Sequence, residues 1–194
     1  MTSYTSKLEA SAGYCNDRTM NTSTSWTRPL AETSTIASTY GTKSQQEYSF
    51  GAYLRTRETV QAPSLTCGNK YSQIDRSTVD LYRYVAGSTG VSNELKYPAA
   101  LITADEAAFA GSGYGSTPYH ANSFLRSGSV FWLLSPYHRS SNGYVYGDLL
   151  YSSGRLYNNY ARARNGVRPA ISLTPGTMAA SGTGTATDPW IVNP

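Results

Sequence analysis

The stretches at residues 143–150 (GYVYGDLL) and 155–160 (RLYNNY) flank Tyr-Ser-Ser-Gly at 151–154. Two runs rich in Tyr, Val and Leu around a short connection ending in Gly read as a β-hairpin. Upstream, 130–134 (VFWLL) is an apolar run of strand length that ends at Ser135-Pro136, and its unbroken apolarity predicts a strand buried on both faces. Downstream, 166–173 (GVRPAISL) reads as a further strand, and 190–192 as a terminal strand after the Gly/Thr-rich turn at 181–187. Short strands therefore dominate the second half of the chain.

The first half is less regular. Residues 19–42 are dense in Ser and Thr and read as loop or irregular strand, anchored by little beyond Trp26, Leu30 and Ile36. Residues 47–57 (EYSFGAYLRTR) and 79–85 (VDLYRYV) alternate aromatic and polar side chains, which predicts strands. One helix signal stands out, at 101–111 (LITADEAAFAG). Thr103 is placed to act as N-cap, Glu106 to close a capping box and Gly111 to end the helix, with Ala107, Ala108 and Ala110 as strong helix formers between. The expected packing is through Leu101 and Phe109. Asp105 and Glu106 are expected to be first-turn carboxylates facing the helix dipole. Residues 111–127 form a long Gly/Ser/Tyr loop. The reading is an α+β chain forming a single domain over 1–194, with 1–12 as a linker-like N-terminus.

A chain of 194 residues can withdraw roughly 70% of its unfolded surface from water, enough for one core. Only 39% of residues are apolar, and Tyr (17) far outnumbers Phe (4), so most of the ring area carries a hydroxyl and suits half-wet surfaces. The formal charge of +4 is scattered, apart from Arg155, Arg162, Arg164 and Arg168; the dense basic stripe of a nucleic-acid reader is missing. Residues 1–13 are polar, without the apolar core of a secretory signal, and no window approaches the ~20 apolar residues of a membrane span. Any anchor is expected outside this sequence, with export through a removed leader or assembly into a virus particle. Cys15 and Cys67 match no zinc spacing. Paired, they would close a loop of about fifty residues and stabilise by roughly 4 kcal/mol; the alternative is two buried free thiols.

Signatures of catalysis are absent: there is no Gly-x-Ser-x-Gly elbow, no His-Glu-x-x-His and no phosphate loop. His120 and His138 each sit in a Tyr/Ser-rich segment and read as surface donors. No catalytic residue, cofactor or metal is expected.

Several segments together carry a resemblance. GYCNDR (13–18), PSLTC (63–67), YPAALITADEAAFAG (97–111), FWLLSP (131–136) and GVRPAISL (166–173) resemble an uncharacterised domain of surface proteins from gut Firmicutes and their phages, from about residue 11 onward. The order Trp, Ser-Pro, variable stretch, Gly-Val-Arg-Pro is also similar to the C-type-lectin-like domains of the formylglycine-generating-enzyme superfamily. It resembles in particular the variable proteins of diversity-generating retroelements, in which adenines are mutated during reverse transcription while the scaffold is kept. The resemblance implies a C-type-lectin-like fold with one or two short helices, in which Trp132, Arg168 and Pro169 are scaffold. It does not carry over the oxidase chemistry, because that enzyme's cysteines belong to the C-terminal half and both cysteines here precede residue 70. Nor does it carry over calcium-dependent sugar binding: Asn142 and Asp148 are present, but no Glu-Pro-Asn or Gln-Pro-Asp run accompanies them.

Between Pro136 and Gly166 the residues are mainly Tyr, Ser, Asn, Arg, Asp, His and Gly, with Val145, Leu149, Leu150 and Leu156 as the apolar minority. Randomising the two adenines of an Asn codon such as AAC yields this set with no stop codon, and the mix is that of antibody paratopes. If Val145 points inward, Tyr144 and Tyr146 share the outer face; if Leu156 points inward, Arg155 and Tyr157 point out. The expected ligand-binding group is Tyr137, His138, Arg139, Asn142, Tyr144, Tyr146, Asp148, Tyr157, Asn158, Asn159, Tyr160, Arg162 and Arg164. The expected function is a receptor-binding or adhesion domain, extracellular, at a cell surface or on a virion, engaging a protein or glycan without nucleic acid, cofactor or membrane insertion. The alternative is a fixed structural or adhesin module of a larger surface protein.

Overall fold

The structure is a computed structural model and describes residues 5–17, 48–56, 62–67, 81–90, 93–114, 122–140, 144–185 and 187–193. The Ser/Thr-rich stretch expected as loop at 19–42, His120 and Asn142 lie outside these residues. The fold is mixed α+β. After a 3-10 turn at Thr5–Lys7 come β1 (Gly13–Cys15), β2 (Tyr48–Ser49), α1 (Gly51–Thr56), β3 (Leu81–Tyr84), β4 (Glu94–Leu95) and α2 (Ala104–Phe109). They are followed by β5 (Phe131–Arg139), β6 (Val145–Leu150), β7 (Leu156–Tyr160), β8 (Ala179–Ser181) and β9 (Ile191–Val192). The strands form three sheets, ordered β1-β3-β4, β2-β5-β6-β7 and β8-β9. The second, antiparallel throughout, is the spine.

The hairpin expected around 151–154 joins β6 to β7: Gly154 takes φ +90° and its N–H donates to the Tyr151 carbonyl at 2.9 Å. Phe131, Leu133, Leu150 and Leu156 from the spine and Ala52, Ala104 and Ala107 from the helices make the core. α2 begins as its capping residues require. The Thr103 hydroxyl accepts from the Glu106 N–H, and the Glu106 carboxylate accepts from the Thr103 N–H at 2.7 Å.

Four expectations change. Residues 47–57 are not one strand: two residues pair with β5, then the chain turns into α1. Ala52 and Thr56, four apart, are the buried positions, and the Thr56 hydroxyl donates to the Ala52 carbonyl at 2.8 Å, so helical spacing overrides an apparent alternation. α2 does not pack through Phe109, which is 58% exposed; its buried face is Ala104, Asp105 and Ala107. β5 does not stop at Ser135-Pro136. Register shifts on both sides of Pro136 accommodate the missing N–H, and the strand runs on to Arg139. Its Phe131, Leu133 and Ser135 are buried, whereas Trp132 and Leu134 on the alternate positions are half-buried. Trp132 lies over Gly147, where a Cβ would come within 3.3 Å of the ring. Finally, 166–173 is no continuous strand. It touches three partners through single bridges, Phe131 with Gly166, Ala100 with Ala170 and Leu8 with Leu173, because Pro169 cannot donate to a ladder.

The cysteines are paired: Cys15 and Cys67 form a disulfide with Cα atoms 5.5 Å apart. Beside it, Arg55 of α1 reaches Asp105 of α2 through two hydrogen bonds of 2.9 and 2.8 Å, and Asp17 through a third of 2.6 Å. The Ser64 N–H donates to the same Asp105 carboxylate at 2.9 Å. Asp105 is therefore more than a first-turn carboxylate facing the helix dipole; it is the buried partner that ties α1, α2 and the disulfide loop together. The two carboxylates hold the Arg55 guanidinium charged, well above even its ordinary range.

Candidate functional site

The expected binding residues fall along the β5-β6-β7 ladder. Alternation puts Tyr146, Asp148 and Leu150 on one face of β6, and the register sets Tyr160, Asn158 and Leu156 of β7 opposite them. Three cross-strand pairs thus run along one face from dry to wet. Leu150 and Leu156 are fully buried under the helices, Asp148 is fully buried beside half-buried Asn158, and Tyr146 is half-buried beside Tyr160, which is 37% exposed.

At the wet end, His138 of β5 pairs with Tyr146, and Tyr146 with Tyr160, so a row of rings crosses three strands. Ring centroids are 5.7 Å apart for His138 and Tyr146 and 4.6 Å for Tyr146 and Tyr160. Tyr144, just before β6, meets Tyr160 edge-on at 5.2 Å. The exposed Arg162 sets its guanidinium 5.1 Å from the Tyr144 ring and 5.4 Å from that of Tyr160. The hydrogen bond with Tyr160, more than any other neighbour, raises the Tyr146 phenol above its usual range. Rings, hydroxyls and a stacked guanidinium can bind a ligand through apolar contact, hydrogen bonds and charge.

The middle of the face is a different chemistry. The Tyr114 hydroxyl donates to the Asp148 carboxyl, and the Tyr114 ring lies 6.0 Å from both Tyr53 and Tyr137, which meet each other at 4.4 Å. Burial pushes the Asp148 carboxyl well up, against the opposing pull of the Tyr114 hydrogen bond, and burial beside that carboxyl raises the Tyr114 phenol. The second Asp148 oxygen has no hydrogen-bond partner among the described residues.

The expected group therefore divides. His138, Tyr144, Tyr146, Tyr160 and Arg162 come together, with exposed Arg164 next along the chain. Arg139 ends β5 opposite Val145, at the same end of the sheet. Asp148 leaves the surface group, since no part of it reaches solvent, and Tyr137 turns its ring onto Tyr53. Tyr157 and Asn159 alternate onto the opposite face; Tyr157 is exposed, but beside Tyr151 and Arg155, at 5.6 and 5.2 Å. The Asn159 side-chain oxygen is engaged by the Tyr160 N–H at 2.8 Å. Val145 does not point inward: it is 48% exposed, and Tyr146, expected outside, belongs to the core-side face beyond the helices. Leu156 points inward as expected.

Tyr53, Tyr114 and Arg55 were not among the expected site residues; no local pattern marks them, because their partners are distant in the chain, Asp148 for Tyr114 and Asp105 for Arg55, 34 and 50 residues away, and Tyr114 and Tyr137 for Tyr53. Arg168 behaves as scaffold, donating to the Leu125 carbonyl at 3.2 Å and lying 4.6 Å over the Phe131 ring. Among the described residues no group of three or more His, Cys, Asp or Glu stands close enough to hold a metal ion. No helix among them is long and apolar enough to cross a membrane. No family model, curated protein or solved structure matches the chain.

Proposed function

We propose that this domain is a ligand-binding module with a C-type-lectin-like fold, displayed outside a cell or on a virion, whose binding surface is diversified by a retroelement. The observation that carries the reading is the row His138, Tyr146, Tyr160 with Tyr144 and Arg162 at the open end of a buried ladder, where Tyr144, Tyr160 and Arg162 are exposed. It draws on the stretch 136–166, whose composition matches adenine mutagenesis of Asn-type codons. Scaffold and display are separated in space: Leu149, Leu150 and Leu156 are buried, while the polar-aromatic set clusters at the strand ends. The ligand is engaged without a catalytic residue, cofactor or metal, by aromatic anchors within a polar rim.

The test is the DNA beside the coding region. The reading expects a near-identical second copy of the segment encoding about residues 130–173, next to a reverse transcriptase, differing only where that copy has adenine. Its adenine-bearing codons should fall on Tyr144, Tyr146, Tyr160 and Arg162 and spare Leu150 and Leu156. A locus without such a copy rejects diversification.

A second reading, a fixed module of a larger surface protein, is favoured by a different region. Val167, Ile171, Leu173, Met178 and Trp190 are all exposed, and an open apolar cleft of about 360 Å³ runs beside Val167, lined also by Tyr97, Leu95 and Leu134. Apolar area of this extent suits contact with a neighbouring domain.

A further inference from the structure

The chain's charge is divided unevenly. Of its 16 Lys+Arg and 12 Asp+Glu, residues 107–194 hold six Arg, no Lys, and only Asp148 and Asp188, which leaves ten of each sign before them. The whole net charge of +4 thus belongs to the part that builds the ring cluster. Asp148 is sealed beneath the surface, and Asp188 is exposed in the β8–β9 connection, where its main chain pairs with Thr183 and Thr185. Of the six arginines, Arg126 precedes β5 and Arg139 ends it, Arg155 lies over Tyr157, on the opposite face from Tyr160, and Arg168 holds Phe131 and Leu125. Arg162 and Arg164 remain exposed at the end of β7, and Arg162 has no carboxylate or hydrogen-bond partner among the described residues.

The tyrosines orient that unopposed charge. Contact with Tyr144 and Tyr160 restrains a flexible side chain, and a guanidinium held against rings rather than against a hydrogen-bond acceptor keeps its donors available for a carboxylate fork. We infer that this end of the sheet docks an acidic segment of a partner protein, with a carboxylate in the Arg162 fork and a neighbouring apolar side chain against Tyr144 and Tyr160. The inference rests on the ligand-binding reading above and names the class of partner. A neutral glycan is less suited, because it offers no carboxylate to the Arg162 fork. A nucleic acid would need cations spaced along a backbone track, whereas the arginines here are split between two faces.

The experiment is fluorescence anisotropy on the full chain with a labelled peptide of alternating Glu and Phe. Comparison probes are the same peptide with Gln for Glu, and unlabelled polygalacturonate and oligo-dT as competitors. The Glu peptide should bind at least about tenfold tighter than the Gln peptide, and Arg162→Gln should remove about tenfold of its affinity. Arg162→Lys should not restore it, since an ammonium offers no fork. Lys96→Gln removes one charge beside another tyrosine, Tyr97, just past β4, and should change binding by less than about twofold. Equal losses in Arg162→Gln and Lys96→Gln would overturn the inference in favour of bulk charge. Equal binding of both peptides would overturn it too, as would polygalacturonate or oligo-dT binding tighter than the Glu peptide in an Arg162-dependent way. Peptide failure at a locus that carries the template copy sinks the acidic partner and leaves the diversified binder; peptide binding at a locus without the copy does the reverse.

Discussion

Leu150 with Leu156 and Tyr146 with Tyr160 are two cross-strand pairs on one face of one sheet, four residues apart, or roughly 13 Å. The first is fully buried; the second displays rings to solvent. The backbone ladder is the same in both places. What differs is the cover: α1 and α2 press Ala52, Ala104 and Ala107 onto the leucine end, and neither Tyr146 nor Tyr160 belongs to that cluster. Between them Asp148 marks the boundary, buried enough to favour its neutral form yet still hydrogen-bonded by Tyr114. The dry end is held by contacts between distant segments, so damage there should cost stability, and damage at the wet end should cost binding alone.

The largest effect should come from the covalent tie over the dry end. Replacing Cys15 and Cys67 by Ser opens a loop spanning 52 positions, and urea unfolding should show a loss of roughly 4 kcal/mol in the chain-entropy model. Arg55→Ala comes next. It strands the buried carboxylates of Asp17 and Asp105, at a cost of about 3 kcal/mol, read by the same denaturation midpoint. A loss under ~0.5 kcal/mol would show that the helices need no clasp.

At the boundary, Tyr114→Phe removes the donor to Asp148 and should cost about 1–2 kcal/mol. The pH dependence has a definite sign. Because the native state raises the Asp148 carboxyl above its ordinary 3.8, its contribution is complete below that value and is lost as pH rises through the native one. Stability of the parent chain measured against Asp148→Asn should therefore decline with rising pH, and a flat difference would show that Asp148 is not held neutral. Smallest in stability should be Tyr160→Ala at the wet end, within about 0.5 kcal/mol. A larger loss would mean that the ring row supports the fold and would blur the contrast between the two ends.

Local signals were read correctly where the physics is local. The capping box of Thr103 and Glu106 and the 151–154 turn each depend on neighbours a few residues apart. The second half of 47–57 was misread because helical and strand periods are nearly indistinguishable over six residues: the buried Ala52 and Thr56, four apart, would share a face in either. The end of β5 was misplaced because a proline stops a ladder only where its N–H is needed, and two register shifts remove that need. Of the candidate site, the sequence marked the stretch that carries the ring row and Arg162, but not Tyr53 or Tyr114.

By itself, the sequence determined the α+β class, the hairpin and which residues alternate together within β6 and within β7, because alternation is a property of the backbone; it put Val145 inward, whereas the register sets Tyr146 on the core-side face with Leu150 and Leu156. The tertiary structure decided which part of that face is dry. Cover comes from helices and a disulfide loop brought in from far along the chain, and no periodicity in 143–160 records where they end. That is why Asp148, polar and central to the expected surface, is buried, while Tyr160, two residues past Asp148's own partner Asn158, stands at the water's edge.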